Sequence, residues 1–278
     1  MPTKRRRWLG GAMHTLLIGL AIIWIYPFVW MIFSSLKTNT EYMNAGFKLL
    51  PEVPRWENYG RAWNVGQFSV YFSNSIIITC TTVVIVIAMC ALTGYALGRV
   101  RFPGRNWFVA AITATMFIPK GYTIIPIYQI IKSLGLLNTL PGIILAESSG
   151  AHVLFILLFM TYFFNLPKEL EEASEIDGCG FFRTFVQVML PLAKPIVATT
   201  AIMQFIWTWN SFFVPLIFSI NKPEIRTLAV GMYAFVGEHT VDWSGMAAGA
   251  AISLLPVIVV FIVFQRFFIE GISGSVKG

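Results

Sequence analysis

Six stretches of this chain are long and apolar enough to cross a hydrocarbon layer about 30 Å thick, which takes roughly 20 helical residues. They run from Met13 to Phe33, Phe72 to Leu97, Trp107 to Tyr128, Gly142 to Phe164, Ile196 to Ile220 and Met246 to Phe268. In lipid every backbone N–H and C=O needs an internal partner, so only helices or a closed barrel can span. The runs lack the two-residue alternation of barrel strands. An all-α membrane protein of six transmembrane helices is expected, with residues 1–278 as one domain. Composition agrees: 56% of residues are hydrophobic and 12% charged, against about 25% charged in soluble domains. A freely soluble globular fold is thereby excluded.

The distribution of lysine and arginine sets the orientation. Twelve of the twenty basic residues and six of the thirteen acidic ones fall on the same side as the amino terminus, a net +6 there against +1 opposite. The short turn GRVRFPGR, with Arg99, Arg101 and Arg105, is the sharpest marker. By the positive-inside rule both termini are expected in the cytoplasm, and the basic balance reflects membrane orientation with no nucleic acid as partner. The run from Leu16 to Phe33 is long enough to span and has no early small-residue cleavage site, so it reads as a retained first helix. Cys80 and Cys90 lie ten residues apart in one helix, about 15 Å by rise, and read with Cys179 as free thiols.

One stretch breaks the apolar pattern. Between Pro167 and Pro195 the acids Glu169, Glu171, Glu172, Glu175 and Asp177 crowd ahead of Gly178. Pro167 and the first three acids favour a helix start, and Gly178 favours a left-handed stop. FFRTFVQVML then forms a second short helix before Pro191 and Pro195 re-enter the membrane. Leu170, Ala173 and Ile176 or Asp177 share one face of the first piece; Phe182, Phe185 and Met189 share one face of the second. Such a loop either packs under its own bundle, lies on lipid, or docks on a partner. The five carboxylates weaken the lipid reading.

Glu172-Ala173-Ser174, then Asp177-Gly178, then Val188-Met189-Leu190-Pro191 resembles the "EAA…G…I-x-LP" loop of permease subunits of ATP-binding-cassette importers. Ser174, Cys179 and Val188 depart from the pattern conservatively. YALGR at Tyr95 to Arg99, FPGR, IIPIY, LGLLNT, Trp209-Asn210 and the terminal EGISGSVKG are similar to the carbohydrate branch, the maltose-transporter MalG-like family. The resemblance covers nearly the whole length. It implies a type I (MetI-like) importer permease fold in a bacterial or archaeal plasma (inner) membrane, with a cytoplasmic coupling helix in a loop of about 166–195 and a cytoplasmic tail of about 269–278 that reaches toward the ATPase pair. Glu172, Ala173, Ser174, Asp177, Gly178, Leu190 and Pro191 would then couple to the ATPase. The implied partners are a second permease forming a heterodimer, two cytoplasmic ATPase subunits, an extracytoplasmic sugar-binding protein and the lipid bilayer. ATP and Mg would sit on the ATPase, with no cofactor on this chain, and the cargo would be a di- or oligosaccharide.

No GxxxxGK[ST] loop, HExxH or Gly-x-Ser-x-Gly occurs, so nucleotide binding, zinc chemistry and serine hydrolysis lack their motifs and the chain reads as a transport subunit rather than an enzyme. Polar residues within spans are costly and point to paths or partners. Glu147 either lines the translocation path, contacts the second permease, or sits at the outer interface. Lys120 has the same open reading, with the helix expected to break at Pro119 and Gly121. Trp209 and Asn210 pair an aromatic face with an amide and are path candidates, although an interfacial tryptophan is also an ordinary anchor. Gln204 is expected to bond a neighbouring helix. Pro27, Pro126, Pro215 and Pro256 are expected kinks. The alternatives are an importer for peptides or another small solute, an ion-coupled secondary transporter, and a membrane enzyme.

Overall fold

The computed structural model describes residues 4–274 apart from 45, 47, 65, 66, 151 and 238–240. Among these the chain is helical, without strands, and carries one antiparallel bridge between Val236 and Val241. In chain order the helices are α1 (Lys4–Ser34), α2 (Asn39–Asn44), α3 (Glu57–Asn64), α4 (Phe68–Arg99), α5 (Arg105–Ala114), α6 (Lys120–Ser133), α7 (Leu140–Ser148), α8 (Val153–Phe164), α9 (Glu169–Ile176), α10 (Phe181–Thr184), α11 (Leu190–Leu192), α12 (Lys194–Trp209), α13 (Phe213–Ser219), α14 (Leu228–Gly231) and α15 (Trp243–Gly274). A π-helical turn, Phe185–Met189, joins α10 to α11.

Helices α1, α4 and α15 are each long and apolar enough to span. Three bent pairs meet the same test jointly: Arg105–Phe117 with Gly121–Ser133, Leu140–Ser148 with Val153–Phe164, and Phe181–Leu192 with Lys194–Trp209, giving six spans when each pair counts as one. The expected kinks at Pro27 and Pro256 do not interrupt α1 or α15. The breaks lie elsewhere. Ile118 is extended at φ −82°, ψ 118°, as the residue before Pro119 must be when the ring crowds its helical conformation. Pro191 and Pro195 flank Ala193 and produce an 80° bend, since each removes a donor and collides with a carbonyl one turn back. The expected continuous span Ile196–Ile220 is a correction: α12 stops at Trp209 and the chain restarts as α13 at Phe213.

The chain forms two compact units, Met1–Ser69 with Gly231–Leu255, and Val70–Val230 with Pro256–Gly278. In the first, the loop after α1 is fixed by Asn58, whose amide donates to the carbonyls of Ser35 and Lys37, 2.8 Å each. Asn39 bonds the backbone of Val241 and Trp243, and Arg61 pairs with Asp242 at 3.0 Å.

The second unit is organised on α4. One cluster joins Val86, Cys90 and Tyr95 of α4 to Phe155, Phe159 and Phe163 of α8 and to Phe185, Met189 and Ala193. Another joins Ile78 of α4 to Ile131, Ile143, Phe218 and Ile225. Between α4 and α8 the backbones approach closely at Gly94 and Gly98. A Cβ on Gly94 would lie 2.4 Å from the Phe159 Cβ and 2.8 Å from the Met160 nitrogen; one on Gly98 would lie 2.8 Å from the Met160 oxygen. Small residues four apart are how helices associate where lipid removes the hydrophobic drive and only close packing remains.

Candidate functional site

The acidic loop folds as two short helices turned against each other. Glu169, Glu171 and Glu172 occupy the first turn of α9, where unpaired N–H groups favour negative charge. Pro167 stands two residues ahead of that helix. Gly178 has φ +76°, and its N–H reaches the Glu175 carbonyl at 2.9 Å while that of Cys179 reaches the Ser174 carbonyl at 2.9 Å. This 5→2 and 6→1 pair is a Schellman stop, which needs the left-handed conformation that glycine adopts without a Cβ penalty.

The residues named for coupling separate into two groups. Glu172, Ala173, Asp177 and Gly178 are exposed, together with Glu175 and Ile176. Ser174 is buried, its hydroxyl 2.6 Å from that of Thr184, so it binds α9 to α10. Leu190 is half-buried and packs on the α4–α8 cluster, while Pro191 is exposed beside the bend. The face expected to combine Phe182, Phe185 and Met189 is split: Phe185 and Met189 turn into the cluster, while Phe182 is 66% exposed. Tyr95 is the reason, because its ring occupies the inner side, stacked on Phe181 at 4.9 Å and on Phe185 at 5.3 Å.

Glu171 escaped the sequence reading. Its carboxylate accepts from Arg99 Nε at 2.7 Å and from the Tyr95 hydroxyl at 2.9 Å. Arg99 also donates to the carbonyls of Leu166 and Pro167, at 2.9 and 3.0 Å. The available signal was the four-residue spacing of Tyr95 and Arg99, which places both on one helix face. What the spacing lacked was a partner.

The candidate path residues meet at a second place. Glu147 lies near the end of α7 and Ser211 in the gap between α12 and α13; the Ser211 hydroxyl donates to the Glu147 carboxylate at 2.5 Å. Two helix breaks are thus tied through one carboxylate. Asn210 is exposed at this junction and donates to the Ile206 carbonyl. Trp209 is 4% exposed and packs on Phe205 and Phe72, so it supports the junction from behind. Gln204 is a correction: it donates to Thr208 on its own helix at 2.9 Å, because that hydroxyl stands one turn away on the same face. The Lys120 side chain and residues 275–278 of the tail lie outside what is described.

Comparison with known proteins adds to this geometry. Residues 2–274 match the family described as "Binding-protein-dependent transport system inner membrane component". The chain is 36% identical to a probable ABC transporter permease of Bacillus subtilis, over 99% of this chain and 91% of that one. It is 34% identical to a diacetylchitobiose uptake system permease of Streptomyces coelicolor, over 95% and 86%. Among solved structures, a chain of a bacterial ABC transporter involved in importing the acidic polysaccharide alginate superposes with a TM-score of 0.81 at 26% identity, over 96% of this chain and 99% of that one.

Proposed function

Since the chain belongs to the inner-membrane components of binding-protein-dependent transport systems, we propose that it forms half of the path of an ATP-driven sugar importer, beside a second permease. The relatives that handle diacetylchitobiose and the polysaccharide alginate support a saccharide of two or more units as cargo. Membership in this family leaves the ion-coupled and enzymatic readings without support. Both termini and the α9–α10 loop face the cytoplasm in this reading, which the excess of lysine and arginine on that side supports.

One observation carries the docking role. On α9 and just after it, Glu172, Ala173, Glu175, Ile176 and Asp177 face solvent, with Ile176 86% exposed, and Phe182 of the following helix is exposed as well. An apolar residue so exposed among carboxylates outside the spans needs a covering partner. Two cytoplasmic ATPase subunits, which hold ATP and Mg, supply that cover: Ala173 permits close approach, and Glu172 and Asp177 offer acceptors. ATP-driven closure of the ATPases moves the two docking loops together, and the membrane halves turn outward to receive sugar from the binding protein. Hydrolysis then resets them. On the path, Glu147 and Asn210 present an acceptor and an amide to sugar hydroxyls, with Ser211 holding Glu147.

The test is purification of the tagged chain from its host in mild detergent. One second permease and an ATPase bearing a phosphate-binding loop should accompany it. Ile176→Asp should lose the ATPase while the chain still inserts; a chain that purifies alone, well folded, refutes the docking role.

A further inference from the structure

Resting on the docking role just assigned, the geometry points to α4 as the rod that carries displacement of the docking loop across the membrane, with Glu171, Arg99 and Tyr95 as the positioning residues that fasten it. We propose that these three transmit the pull of the ATPase to the outer segment 223–228 without touching either ATPase or sugar.

Four observations support this. At its inner end α4 grips the loop at several points: Glu171 of α9 on Arg99 and Tyr95, the linker carbonyls of Leu166 and Pro167 on Arg99, and the rings of Phe181 and Phe185 on Tyr95. The loop therefore has little freedom to move without α4. At the outer end, Asn74 donates to the carbonyls of Glu224 and Arg226 at 2.7 and 3.0 Å, and Ser75 accepts from the Leu228 N–H at 2.8 Å. From Asn74 to Arg99 the helix rises about 38 Å, more than the hydrocarbon core of about 30 Å.

Between these ends α4 is unbroken and contains no proline. The other two continuous spans carry Pro27 and Pro256, and the remaining spans are bent pairs. A proline-free helix packed through Gly94 and Gly98 on α8 transmits displacement along its axis, whereas a broken span absorbs it at the break.

The ion pair itself argues for positioning over stability. Arg99 and Glu171 side chains are 6% and 22% exposed, and apolar residues in place of such a desolvated pair are often as stable or more so. A pair kept at that depth is explained by direction: a fork on two carbonyls and a carboxylate fixes one register.

The experiment uses the whole complex in lipid vesicles, with an environment-sensitive fluorophore on Glu224→Cys in a background lacking Cys80, Cys90 and Cys179. The probe is Mg-ATP. Addition to the unsubstituted rod should change the fluorescence at the outer segment. Arg99→Met/Glu171→Leu, which removes both charges and so leaves neither unpaired, should still co-purify with the ATPase but lose the response roughly tenfold, within the range of coupling between linked sites. Tyr95→Phe, which keeps the ring stacking, should lose part of it. A full response in the double variant overturns the proposal. So does loss of response in proportion to loss of bound ATPase, which would make the clamp a simple brace. If the unsubstituted chain brings no ATPase and shows no ATP response, the docking role itself has failed, a result separable from either.

Discussion

Replacing Gly178 separates backbone geometry from close approach. The residue has φ +76°, and a Cβ built there meets nothing within 4 Å. Sterically the site is open, so any penalty comes from the left-handed conformation, about 1–2 kcal/mol for an ordinary L-residue. Asparagine visits that region readily, alanine less so and valine hardly at all. A chain that avoids the strain by leaving the left-handed region gives up the bonds to Glu175 and Ser174, about 1 kcal/mol each. Either way, 1–2 kcal/mol displaces the population of correctly stopped loops by a factor of about 5–30. Sugar uptake per ATP hydrolysed, measured in vesicles holding the full complex, should therefore rank Asn above Ala above Val at position 178, with insertion unaffected in all three. If bulk against the ATPase were what mattered, alanine would outperform asparagine. That order would refute the strain argument.

At Gly94 the opposite geometry holds: the Cβ of Gly94→Ala would meet backbone and Cβ atoms of α8 at 2.4–2.8 Å. Overpacking of this kind costs about 1–3 kcal/mol, so the melting temperature in detergent should fall for Gly94→Ala and further for the bulkier Gly94→Asn, whereas at Gly178, where the cost is backbone strain, Asn should lower it less than Ala. In the loop, Ser174→Ala strands the buried Thr184 hydroxyl and should speed proteolysis between α9 and α10. Ser174→Ala/Thr184→Val, removing both partners, should restore much of the resistance, because an unsatisfied buried group costs more than a bond that is simply absent.

Features governed by local chemistry were legible from the chain alone. The apolar runs dictated helices because lipid offers no other backbone partner, and proline read correctly as a break at Pro119 and between Pro191 and Pro195. Gly178 announced a left-handed stop because few other residues adopt one. The break at Asn210 left no such mark: asparagine follows a run of good span formers, and the helix ends where Ser211 meets a carboxylate from α7, 64 residues earlier. Pro27 and Pro256 lie inside helices that run on through them, since a proline in a span need not end it.

Glu171 and Glu172 are adjacent and chemically identical, yet one is fixed to Arg99 and the other faces solvent. Neighbours on a helix point about 100° apart, so which one turns inward depends on where α4 ends relative to α9. That relation is set by contacts between segments more than 60 residues apart, Gly94 and Gly98 on α8 and Tyr95 among the phenylalanines of the return helix. Membrane class, the expected orientation and the presence of a short two-helix acidic loop are encoded residue by residue, through hydropathy, charge and turn chemistry. Which side chains of that loop face outward and which anchor it is a property of packing, because the direction of a side chain has meaning only against the surface it faces.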